Sequence, residues 1–204
     1  MKRFLVCLKQ KKIILLTAII LVLLTSCENP LFLPPGVSEE EYNIISETNK
    51  VRTTPGAYAN MLETELAAIS NAATRAKYEA AISTLRAASP RSPVKFEMGL
   101  YIAARDHAKD LIKSNTFSHD SSDGTPFSMR IYRYGTMSYA GENIAGGTMQ
   151  NTGAKFVKQW VLSPGHLSNI LNEGYTQLGA AFMSGHPTYN WLSVQDFARD
   201  FRPK

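Results

Sequence analysis

The chain has 204 residues, of which 44% are hydrophobic and 19% charged, a globular composition that excludes a disordered chain. Its formal charge of +5 is misleading, because five of the 22 Lys and Arg (Lys2, Arg3, Lys9, Lys11 and Lys12) fall in the first 26 residues, which hold no acid. The other 17 balance the 17 Asp and Glu, so residues 27–204 are neutral and no nucleic-acid partner is expected from net charge.

The first element is a targeting segment. Met1 to Lys12 is a basic stretch, and Ile13 to Leu24 is apolar apart from Thr17, a length that suits a signal peptide and is short for a spanning helix. Leu24-Thr25-Ser26-Cys27 follows, and it resembles the lipobox of bacterial lipoproteins. That resemblance implies cleavage after residue 26, acylation of Cys27 and anchoring to a membrane, with the chain outside the cytoplasm in the bacterial envelope. Cys7 would leave with the signal and Cys27 would carry lipid, so the fold would have no free thiol and no disulfide. Residues 27–37, with Pro30, Pro34 and Pro35, read as a stiff tether, and residues 38–202 as one domain.

Ser38 and Glu41 form a capping-box pattern that opens a helix through Val51. Thr54-Pro55-Gly56 interrupts, and Tyr58, Met61, Leu62 and Leu66 continue at helical spacing. Residues 67–92 are rich in Ala, Arg, Lys and Glu, good helix formers, until Pro90 and Pro93. Leu100, Ala104, His107 and Leu111 mark a further helix. Phe156, Val157 and Trp160 suggest another, and Ser163-Pro164 opens a short one. Residues 175–197 alternate about Ser184-Gly185-His186-Pro187 and read as two antiparallel strands. Helices first and strands last make an α+β chain.

Four histidines carry most of the available chemistry. His107 lies on an apolar helix stripe and reads as a core residue with one hydrogen bond, and His186 as an exposed turn residue. His119, Glu142 and His166 stand in polar or turn settings, where imidazoles and a carboxylate could make a metal site or an acid/base pair. There is no HExxH, no GxSxG elbow, no GxGxxG and no P-loop. Asn143 reads as a hydrogen-bonding turn residue and Trp160 as core.

Five segments in order then resemble the bacterial branch of the CAP superfamily (cysteine-rich secretory proteins, antigen 5 and pathogenesis-related 1, or SCP domains). They are Phe117-Ser118-His119, Gly141-Glu142-Asn143-Ile144, Trp160 with Ser163-Pro164-Gly165-His166, Asn169-Ile170-Leu171, and Gly174-Tyr175 to Gly179. The resemblance implies a three-layer α-β-α sandwich with a central antiparallel sheet. It also implies a cleft faced by two histidines and two glutamates, where the histidines can hold a divalent metal such as zinc. His119 matches the first histidine and Glu142 the first glutamate, while Tyr175 stands at the second histidine's position and His166 near the second glutamate's. The expected cleft is therefore His119, Glu142, His166 and Tyr175, with His119 and His166 as metal ligands. The expected function is a lipid-anchored binding module for a small lipid, a sterol, a cell-wall component or a protein. The alternatives are a His/Glu hydrolase, with His119 and Glu142 as its catalytic candidates, and an adhesion protein whose cleft residues are only a hydrogen-bond network.

Overall fold

The computed structural model describes residues 33–148 and 152–204. The signal segment, Cys27 and most of the tether lie outside the described residues. Val37 is buried, and Val37–Lys204 forms a compact unit with its own core.

The first helix, α1 (Glu39–Thr53), forms where expected. Ser38 Oγ accepts from Glu41 N at 3.3 Å while Glu41 Oε2 accepts from Ser38 N at 2.9 Å. Three glutamates lie in its first turn and Lys50 and Arg52 in its last, complementing the helix dipole. Thr54 breaks it and Pro55 starts α2 (Pro55–Leu66). The Ala-rich stretch becomes α3 (Ala72–Ala87), capped by Asn71. A two-residue strand β1 (Lys95–Phe96) precedes α4 (Met98–Ser114), on which Leu100, Ala104, His107 and Leu111 are all buried. Then come α5 (Phe127–Arg130), one 3₁₀ turn, β2 (Gly135–Thr136), β3 (Tyr139–Gly147), α6 (Gly153–Val161), α7 (Pro164–Leu171), β4 (Gln177–His186), β5 (Asn190–Arg199) and β6 (Arg202–Pro203).

The main sheet has the order β1-β4-β5-β3. Its three long strands are antiparallel, as expected, and the short β1 adds one parallel pairing at the β4 edge. β2 and β6 pair separately. Alternation divides the core in two. Leu178, Ala180 and Phe197 join residues of α1, α6 and α7 on one face, while Ala181, Leu192 and Val194 join Ala104, Ala108 and Leu111 of α4 on the other. These are the helix, sheet and helix layers of the expected sandwich. α4 lies so close to β4 that a Cβ on Gly179 would fall on the backbone of Leu100 and Tyr101.

One buried guanidinium joins the two ends of the domain. Arg52 donates to the carbonyls of Ser92 (2.9 Å), Ile170 (2.7 Å), Asn172 (2.8 Å) and Tyr175 (3.1 Å). This fixes the turn between α7 and β4 without any carboxylate.

Strand β3 is not expected from the sequence. Glycine is depleted in strands, and Gly141, Gly146 and Gly147 hide the alternation. Gly141 is required by packing, since a Cβ there would overlap the Tyr175 hydroxyl. His186 is a correction. It is buried at the end of β4, its Nε2 3.1 Å from the Thr116 carbonyl and its Nδ1 accepting from Thr188 N at 3.1 Å. Ser184, Gly185 and Pro187 around it stay exposed, and only the imidazole turns under the segment that follows α4.

Candidate functional site

β3 is an edge strand, and the candidate site straddles it. Glu142 and Asp196 are cross-strand partners in the β3–β5 ladder. By alternation both share the sheet face of Ile144 and Val194, the face that α4 covers. Both carboxyl side chains are almost fully buried. Arg130, from α5, enters between them and donates to Glu142 Oε2. Its Nη1 stands 3.8 Å from Asp196 Oδ2. One cation therefore faces two acids in a dry site, where an unpaired charge is costly. The Asp196 carboxyl is pushed well above its ordinary range, first by burial and then by the Glu142 charge. In its protonated form it can hand a hydrogen bond to Glu142 and leave a single buried ion pair.

The other oxygen of Glu142 holds His119. His119 Nδ1 lies 2.8 Å from Glu142 Oε1, and the imidazole side chain is 56% exposed. With Nδ1–H donated to the carboxylate, Nε2 faces outward and has no hydrogen-bond partner among the described residues. The bond to Glu142 raises the His119 pKa. His107 supports the arrangement from α4: its Nε2 lies 2.9 Å from the carbonyl of Ser118, the residue before His119, and burial pushes its pKa down. His107 is the buried, hydrogen-bonded residue expected, and it also fixes the segment that carries His119.

His166 approaches from the other side of β3, in the first turn of α7. Asn169 Nδ2 donates to the carbonyl of Glu142 at 3.1 Å and to Asn143 Oδ1 at 2.9 Å, and Asn143 Nδ2 donates to the His166 carbonyl at 3.3 Å. Gln195 continues the network to Thr48 of α1 at 2.7 Å. Asn143 is fully buried, so it is structural, though in a strand and not a turn. Trp160 is fully buried, as expected. Burial and then the nearby His119 charge lower the His166 pKa. The site thus pairs an imidazole biased toward the cation with one biased toward the neutral form.

Tyr175 does not face this cleft. It is buried, stacked on Tyr139 (4.9 Å between centroids) and Phe197 (5.1 Å), and burial raises its phenol pKa. A phenol in that state is a poor metal ligand. Glu142 already serves His119 and Arg130 with its two oxygens, and among the described residues no three His, Cys, Asp or Glu side chains are arranged to hold a metal ion. The donors left are the two imidazoles. The residues present therefore do not fit a protein-held zinc, which takes three or four ligands.

Arg130 and Asp196 escape sequence reading as single charges with no motif spacing. Asp196 does leave a signal: it shares a strand face with Leu192, Val194 and Ala198, so its carboxyl has to be buried.

This sandwich, with an edge-strand carboxylate backing a histidine from the segment after α4, defines a class. Residues 79–197 match the cysteine-rich secretory protein family, CAP, and the chain belongs to it. It is 39% identical over 94 residues to the protein YkwD of Bacillus subtilis strain 168, covering 45% of this chain and 35% of that one. The chain thus spans about a third of the length of the curated relative it matches. Two solved structures share the fold. They are an outer surface protein of Borrelia burgdorferi (TM-score 0.53, 16% identity, 79% of this chain and 93% of that one) and venom allergen-like protein 4 of Schistosoma mansoni (0.50, 14%, 82% and 97%).

Proposed function

We propose that this chain is a lipid-anchored, extracytoplasmic binding module whose ligand meets His119. The observation that carries this reading is the His119–Glu142–Arg130 arrangement. A half-exposed imidazole is fixed at Nδ1 by a buried carboxylate, whose other oxygen is held by a guanidinium. Such an imidazole is oriented before any ligand arrives and offers Nε2 at low ordering cost. The signal-like residues 1–26, the Leu24–Cys27 motif and membership in a family described as secretory support the location.

The test compares wild type with His119→Ala for retention on purified cell-wall sacculi, on vesicles of envelope lipid and on envelope protein extract. Retention lost in the variant while its circular dichroism is unchanged supports the reading. Equal retention, or none on any surface, removes it. Cys27→Ser should shift the protein from the membrane to the soluble fraction and abolish incorporation of labelled palmitate.

A hydrolytic role is the second reading, favoured by the same carboxylate-backed imidazole, the arrangement of a general base. It requires a hydrolysis rate that falls in both His119→Ala and Glu142→Gln.

A further inference from the structure

Beside the cleft, α3, α6, α7 and β3 enclose an open cavity of about 430 Å³, within the usual size of a small-molecule site. Its apolar lining comes from Ala145, Trp160 and Leu162, and its cationic lining from Lys77, Lys155 and Lys158. His166 reaches its rim. The lysines are not equivalent. Lys158 is committed to Glu65, with Nζ 2.9 and 3.0 Å from the two carboxylate oxygens. Lys77 and Lys155 have no carboxylate partner among the described residues. Two lysines without a direct carboxylate partner, Lys77 on α3 and Lys155 on α6, therefore flank an apolar floor.

A second, smaller apolar cavity of about 230 Å³ adjoins, sharing Lys77 and Leu162. It gives an apolar ligand room to continue along α3.

We propose that this cavity is a binding site for a small organic anion: an oxyanion head held by Lys77 and Lys155, and a flat or short apolar body against Ala145 and Leu162. The head chemistry is shared by carboxylates and phosphate monoesters. The site touches the cleft only at His166 and does not depend on a ligand role for His119.

Calorimetric titration of the Val37–Lys204 unit tests the proposal with 2-naphthoate, 2-naphthyl phosphate, 2-naphthol and acetate. At least one naphthyl anion should bind about tenfold or more tightly than both 2-naphthol and acetate, because the site uses charge and apolar area together. The tighter of the two names the head group. Lys77→Ala combined with Lys155→Ala changes only exposed side chains and should weaken that anion about tenfold or more while leaving 2-naphthol unchanged. Anions that bind no better than 2-naphthol, or an affinity untouched by the double lysine variant, would overturn it.

Discussion

Glu142 and Asp196 face each other across the β3–β5 ladder, and the single guanidinium of Arg130 stands against both. Two acids and one base in a buried place make the site's stability depend on proton occupancy as much as on packing. This relationship sets the first two predictions.

Removing the guanidinium strands a buried carboxylate. Arg130→Met should destabilise the domain by about 3–5 kcal/mol, the usual result of breaking a buried pair from one side. Urea unfolding of the two proteins measures it, and a loss below about 1 kcal/mol would show the pair to be dispensable.

The Asp196 pKa is displaced in the opposite direction to that of an ion-paired carboxylate, because burial holds the proton on. Its folded pKa lies above the ordinary 3.8, so the folded state holds the proton more tightly and stability declines as pH rises from about 4 through the raised value. Asp196→Asn keeps the shape of the protonated acid and removes the titration. Its stability relative to wild type should therefore improve with pH across that interval. A difference that is constant with pH would refute the assignment of the proton to this position.

His119 carries its own linkage. Its folded pKa is raised above 6.5 by Glu142, so its contribution is complete below pH 6.5 and is lost as pH rises through the folded value. Proton NMR should place its midpoint above 6.5 in the wild type and lower in Glu142→Gln. An unchanged midpoint would mean that the hydrogen bond does not form in solution.

The close approach of α4 to β4 predicts a steric lesion far from the site. Gly179→Ala drives a methyl group into the helix backbone at Leu100 and Tyr101, where no flexible side chain can yield. About 3 kcal/mol of stability should be lost, the upper range for overpacking. Near-wild-type thermal unfolding would show that helix and strand can separate freely.

Much of the fold is legible in the sequence, through elements whose own side chains signal their period. The α4 stripe and the Ser38–Glu41 cap are local, and both stand as read. β3 is not legible because its glycines answer to residues distant in sequence: Tyr175 lies over Gly141 and Tyr189 over Gly146. The site divides along the same line. Family motifs single out His119 and Glu142, and the two do touch. Motif position also puts Tyr175 in the cleft, but its stacking on Tyr139 and Phe197 buries it in the core. Arg130 completes the pair with a side chain whose partner lies 12 positions away on another element, which no short pattern records.

The Arg52 clamp has a temporal consequence. Its acceptors at Ile170, Asn172 and Tyr175 lie 118 to 123 residues further along the chain. A chain emerging from its N-terminus can wind α1 at once, but three of the four carbonyls that hold Arg52 are missing until the last quarter of the sequence arrives. The domain closes late, and a chain truncated before residue 170 should persist only as an open, protease-sensitive intermediate.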